Sequence, residues 1–307
     1  MANKVTLFKR FINTQLSEMA ENISTNFSDI MEGRQKNPFL IVDEQINNCM
    51  GLGRSIDSQL GNRMQNIVFY AARLKYEDCI VPNVVSITFD EDLHKVICTC
   101  YYVPLSQYDV AFCKEKGRIK QSAYKQTVFV NKDITLETVA KKIGLKDNSI
   151  GDIQHYEQVF DVSDEEKFAY LREYKTKSKT EIDLLLFQST VETFEIKLGG
   201  GLDTKNAPAN IKEISDLKQL FAFTGNNHTY FATCYGTGSE AVARSFDNGK
   251  KPFDQNDKIL QNTKFWDLVL PPEVTYEQFI DIYQVAFKKA GINKMLKTLV
   301  KTKTSRP

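Results

Sequence analysis

A chain of 307 residues, 42% of them hydrophobic, can bury a sizeable core and is far from the composition of a disordered polymer. Its 40 basic and 39 acidic residues leave a formal charge of +1. No overall basic excess advertises a nucleic-acid partner, although a charged cleft balanced by acidic surface elsewhere is compatible with one.

No apolar run approaches the roughly 18 residues needed to span a bilayer. Met1 to Glu21 mixes Lys4, Lys9 and Arg10 with Glu18 and Glu21, unlike the apolar segment of a secretory signal. The expectation is a cytoplasmic protein with no membrane contact. The six cysteines show no disulfide framework: Cys98 and Cys100 are two apart, on one face of an expected strand, and are not a CxxC pair. His94, His155 and His228 are scattered, so no zinc-ligand spacing is present.

Residues 1–32 read as helical, with Leu7, Phe11, Leu16, Met19, Ile23 and Phe27 on one stripe, until Asn37-Pro38 breaks the pattern. Gly51 and Gly53 mark a loop before a second helix, Ser55 to Glu77, whose apolar positions from Ile56 to Leu74 recur at helical spacing. Val84–Phe89 and Lys95–Val103 read as strands joined by a turn at Asp90-Glu91-Asp92. Lys114, Lys116, Arg118, Lys120 and Lys125 form a basic stretch. Thr127–Val130 then reads as a short strand, and Ile134–Leu145 and Glu165–Tyr174 as helices.

After the polar linker Lys175–Thr180 the pattern changes. Ile182–Phe187 is almost wholly apolar, as a strand buried on both faces should be. Val191–Leu198 reads as a strand, Leu202–Asn206 as a loop, and Pro208–Phe223 as a helix with Pro208 in its first turn. His228–Tyr235 and Phe265–Leu270 read as strands, and Tyr276–Ala290 as an amphipathic helix before a Lys-rich tail. The expected class is α/β (α+β): a mixed central β-sheet flanked by helices, with helical and β-hairpin N-terminal additions. The expected organisation is a single domain over 1–307, its catalytic core at about 165–290 and its helical and hairpin part at about 1–150.

The chemistry is concentrated at Asp183, which heads the apolar strand, and at Glu195 and Lys197, two apart on the next strand and so on one face. A hairpin through Gln188–Val191 would bring Asp183 close to Glu195. Two carboxylates and an ammonium at one place suit Mg²⁺, a hard ion that takes oxygen ligands, and a phosphodiester beside it. A solvated Glu/Lys alternation, with Phe194 and Ile196 buried, is the bland alternative. A charge on an otherwise apolar strand needs a reason. Gly199-Gly200-Gly201 permits a close approach just after the lysine. Lys205, Asn206, Asn210 and Lys212 lie near a helix start, where phosphate is favoured.

The segment Glu181–Leu220 resembles the core of the PD-(D/E)xK nuclease superfamily: an acid, a strand, (D/E)-x-K, then a helix. Ile182 stands where that pattern has proline. Asn37-Pro38-Phe39-Leu40 and the helix carrying Gly53-Arg54-Ser55, Gly61-Asn62-Arg63 and Gln65-Asn66 are similar to type II restriction endonucleases, in particular the TdeIII-type.

The resemblance implies a restriction-endonuclease-like fold and sequence-specific hydrolysis of duplex DNA. Asp183 and Glu195 would be the metal ligands, Mg²⁺ (or Mn²⁺) the cofactor and Lys197 the catalytic cation. It also implies a homodimer and pairing with a DNA methyltransferase in a prokaryotic cytoplasm. A repair or structure-selective nuclease of the same core, or an inactive DNA-binding protein, are the other readings. Asp57 and Glu44 are candidates for an outer-shell acid. Arg54, Asn62, Arg63, Lys116, Arg118, Lys120, Lys205 and Asn206 are candidates for DNA contact, although polar helix faces and charge runs are often merely solvated.

Overall fold

The computed structural model describes residues 3–32, 44–106, 126–130, 134–145, 147–174, 180–199, 207–236 and 259–304. The chain divides into two compact units, one made of 1–67 and 272–307 and the other of 68–271.

The first unit is helical. Helix α1 (Lys4–Thr25) is capped by Asn3, whose side chain accepts from the Val5 N–H. Its stripe of Phe8, Phe11, Ile12, Leu16, Met19 and Ile23 is buried. Phe8 meets Phe279 of a later helix at a ring-centroid separation of 6.0 Å. Helix α2 (Phe27–Glu32) follows, and α3 (Glu44–Lys75) runs through the boundary between the units. The loop expected at Gly51 and Gly53 is part of α3, which starts eleven residues earlier than Ser55. A helix tolerates isolated glycines at a cost of about 1 kcal/mol each, and a Cβ at Gly53 or Gly61 would meet nothing within 4 Å.

The second unit holds two mixed sheets flanked by helices, in keeping with the expected class. Five strands form the first sheet: β1 (Val84–Asp90), β2 (Lys95–Tyr102), β3 (Gln126–Val130), β4 (Gln154–Asp161) and β5 (Thr180–Ile182), ordered β4-β2-β1-β3-β5. The expected hairpin is the β1–β2 pair. The sequence reading missed β4, whose residues are all exposed or half-buried and whose inward face offers only Tyr156 and Phe160 to the core, with Gln158 between them. Helix α4 (Leu136–Ile143) covers one face of this sheet through Val139, Ala140 and Ile143 against Val84 and Phe129. Helix α5 (Glu165–Tyr174) covers the other through Phe168, Leu171 and Tyr174. Cys98 and Cys100 point into that second core.

The second sheet has the order β6-β7-β8-β9, from β6 (Leu184–Phe187), β7 (Val191–Gly199), β8 (Asn227–Tyr235) and β9 (Ile259–Gln261). β6 and β7 are antiparallel, whereas β7, β8 and β9 are parallel. All four residues of β6 are at most 1% exposed, a burial that contributes roughly 1.5–3 kcal/mol for each such side chain. Helix α6 (Ala207–Leu220) lies on the face carrying Phe231, and its Leu217 and Leu220 join the core shared with Leu185, Phe187 and Val191.

The opposite face is covered by α7 (Thr263–Val269), where the sequence pattern predicts a strand. Phe265, Trp266 and Val269 fit one helix face as well as they fit a strand. The indole N–H of Trp266 donates to the Cys234 carbonyl at 2.8 Å, and Phe194 sits 6.3 Å from Phe265. The fourth strand is instead the three-residue β9. Helices α8 (Tyr276–Lys289), which begins with a Thr275–Gln278 capping box, and α9 (Ile292–Thr304) belong to the first unit.

Candidate active site

Asp183 is the joint between the two sheets: β5 ends at Ile182 and β6 begins at Leu184. Gln126 makes that joint. Its buried amide accepts from the Leu185 N–H at 2.6 Å and donates to the carbonyls of Leu185 (2.8 Å) and Pro82 (2.6 Å). The backbone of Gln126 pairs with Ile182, so its side chain carries the ladder across Asp183 and onto the next strand. All the amide's polar atoms are used, which is the condition for burying it.

Leu184 pairs with Phe194 in the β6–β7 register, so the next position sets Asp183 opposite Glu195. One carboxylate oxygen of Asp183 accepts the Ile196 N–H at 2.8 Å, which locks the side chain onto β7. Glu195 and Lys197 share one face of β7, and the Lys197 ammonium lies 2.5 Å from Glu195 Oε1. The structure therefore brings together all three residues of the expected constellation.

It adds a fourth. Glu213 of α6 reaches Glu195 and hydrogen-bonds to it. Sequence reasoning passed over it, although a signal exists. Asn210, Glu213 and Leu217 fall at i, i+3 and i+7, and Asn210 and Leu217 are buried, so Glu213 flanks the stripe that meets the sheet.

The charges are not balanced. Desolvation raises the Glu195 carboxyl above the usual range, and the Asp183 charge raises it further against the pull of Lys197. Glu213 is raised by partial desolvation and by Glu195. Burial pulls Lys197 down, but Glu195, Glu213 and Asp183 outweigh it and hold the ammonium above its ordinary value. Three acids face one cation. Such a site favours one added positive charge.

Hard oxygen donors fit a Mg²⁺-like cation. Among the described residues no group of three or more His, Cys, Asp or Glu is set to enclose a metal. A divalent ion here would rest on Asp183 and Glu195, and Mg²⁺ accepts one or two carboxylates with water and phosphate completing its shell.

Next to Lys197 in register stands Thr233 of β8, and next to Thr233 stands Gln261 of β9. The Thr233 hydroxyl and the Gln261 amide nitrogen are buried with no hydrogen-bond partner among the described residues. The polar row thus extends from the lysine under α6.

The other candidates fall elsewhere. Asp57 and Arg54 are exposed on α3 within the first unit, and Asn62 is half-buried there. Arg63 is engaged internally: it pairs with Glu18 at 2.6 Å and reaches Gln15, which also accepts from the buried Asn66. Glu44 opens α3, but its side chain lies outside the described residues, as do Gly200, Gly201, Lys205, Asn206 and the stretch with Lys116, Arg118 and Lys120. Comparison with protein-family models gave no match, and comparison with curated proteins gave none either.

Proposed function

We propose that this protein is a metal-dependent nuclease acting on duplex DNA, of the type II restriction endonuclease kind. The observation that carries the reading is the convergence of Asp183, Glu195 and Lys197 at the end of one mixed sheet, with carboxylates in excess over cations. Asp183 and Glu195 would hold a Mg²⁺ ion, which when bound supplies Lewis-acid stabilisation of a phosphodiester and favours ionisation of water.

The chain's own residues have distinct tasks. The Ile196 N–H fixes the Asp183 carboxylate on β7 opposite Glu195. Lys197 keeps its proton and places positive charge where negative charge builds on the phosphate. Glu213, beside Glu195 and itself exposed, stands where it can pass a proton released at the site to solvent. The homodimer, the partner methyltransferase and the target sequence belong to the same proposal.

The test is incubation of the full chain with plasmid and phage DNA. Discrete fragments in Mg²⁺ or Mn²⁺ that vanish in excess EDTA are expected. Cutting that persists in EDTA, or no cutting with either ion on any substrate, overturns the reading.

A further inference from the structure

Tyr235 is the last residue of β8 and belongs to the same alternating set as Phe231 and Thr233. Those two are 1% and 0% exposed, whereas Tyr235 is 56% exposed. A large aromatic left in solvent at the end of a strand is not held there by core packing. It does have a fixed place. Tyr235 pairs in register with Gly199, two residues beyond Lys197 on the same face. A Cβ built on Gly199 would lie 2.9 Å from the Tyr235 Cζ and 3.0 Å from its hydroxyl oxygen. The ring therefore crosses the end of β7 and sets its hydroxyl over Gly199, on the side of the lysine. Only a residue without a side chain lets it lie there. Among the described residues the Tyr235 hydroxyl makes no hydrogen bond.

We propose that Tyr235 is a substrate-binding residue. Its phenolic hydroxyl donates to a phosphate oxygen of the DNA backbone next to the cleaved phosphodiester, and Gly199 is the seat that lets the ring present it. The proposal rests on the nuclease reading above. The chemistry is that of a positioning contact: a neutral donor beside the Lys197 ammonium satisfies an anionic oxygen without adding charge to the site. Such a contact is present in bound substrate and transition state alike, so its loss appears in affinity rather than turnover.

The experiment uses the full chain and four variants, Tyr235→Phe, Tyr235→Ala, Gly199→Ala and the Gly199→Ala/Tyr235→Ala pair. Cleavage in Mg²⁺ of a plasmid fragment that the wild-type chain cuts gives kcat and KM, a gel shift of the same fragment in Ca²⁺ gives Kd, and circular dichroism confirms folding. Tyr235→Phe keeps the ring on its seat and loses only the hydroxyl. It should raise KM and Kd about tenfold, the loss expected for one hydrogen bond to a charged group, with kcat within about twofold. Gly199→Ala should weaken binding similarly by displacing the ring, and the double variant should be no worse than Tyr235→Ala alone, since the added methyl then has nothing to displace.

Tyr235→Phe with wild-type KM and Kd overturns the assignment, as do Gly199→Ala and Tyr235→Ala losses that add. A wild-type chain that cuts while Tyr235→Phe is indistinguishable from it sinks the assignment alone. A wild-type chain that neither cuts nor shifts duplex DNA sinks the nuclease reading and the assignment with it.

Discussion

Two clusters of charge lie within the same unit, and they are built on opposite terms. Around Arg73, in the last turn of α3, every charge meets its complement. The guanidinium donates to Asp78 at 2.9 Å, to the Val103 carbonyl at 2.7 Å and to Asn83 Oδ1 at 2.7 Å, and it lies 5.2 Å from the Phe69 ring centroid. Asp78 also accepts the Leu105 N–H, and Asn83 the Val103 N–H. Around Lys197 the count is unequal: Asp183, Glu195 and Glu213 face one ammonium, and desolvation followed by carboxylate repulsion raises both glutamates. A compensated network fastens a helix end to a strand end. An uncompensated one keeps a deficit of positive charge, which is what a site for a cation and an anionic substrate requires.

The comparison breaks if the two clusters respond alike to mutation. Arg73→Met should be the most damaging change. It takes one donor from each of Asp78, Asn83 and the Val103 carbonyl, and leaves the Asp78 charge without its counter-ion. Loss of one partner of a buried pair costs about 3–5 kcal/mol, and the half-open Asp78 side places this pair near the lower end, at about 3 kcal/mol. Urea unfolding followed by the fluorescence of Trp266, the chain's single tryptophan, reads this unit directly. An unchanged midpoint would mean the network does not hold the fold.

Lys197→Ala should do the reverse. Cleavage should fall on the order of 10²–10³-fold, while the urea midpoint and the Ca²⁺ gel shift stay close to wild type, because many phosphate contacts carry binding. Near-wild-type plasmid cutting would remove the lysine from the catalytic set.

Gln126→Leu tests the joint between the sheets. The leucine fits the apolar surroundings but leaves the Leu185 N–H and two carbonyls unpaired, at a cost of about 1–3 kcal/mol. Because the same bonds carry the strand past Asp183, cleavage should fall beyond what the stability loss explains. Cutting at wild-type rate by the folded fraction would show that Asp183 does not depend on this brace.

The smallest effect concerns Glu213→Gln, and its sign is the informative part. Both glutamates bind a proton more tightly in the folded chain than in the unfolded one. Their contribution to stability is therefore full below the ordinary glutamate range and declines as pH rises through the folded values. The variant removes one acid from that repulsion. In EDTA it should melt slightly higher than wild type at pH 8, with the gap closing toward pH 4, and it should cut more slowly. A variant that melts lower at pH 8 would make Glu213 a compensated partner like Asp78.

Much of the molecule was legible from pattern. The α1 stripe, β1 and β2, β6, β7 and the α6 and α8 helices follow from periodicity, because a side chain's face depends only on its position along its own element. Asp183, Glu195 and Lys197 were legible for the same reason: a charge heading an apolar strand and an acid–lysine pair two apart are local facts. The limits were also physical. Phe265, Trp266 and Val269 satisfy either period over so few residues, and only the need to cover the Phe194 face, with the Trp266 indole bonded to Cys234, decides for a helix.

What the amino-acid sequence determined by itself is which elements exist and which residues share a face. Tertiary structure alone decided which faces meet. It brought Glu213 from a helix onto Glu195, eighteen residues earlier in the chain, and used the side chain of Gln126 to carry a ladder across Asp183. It also laid Tyr235 over Gly199, 36 residues away in sequence. Each of these contacts joins two elements, and periodicity within one element carries no information about the register or partner of another.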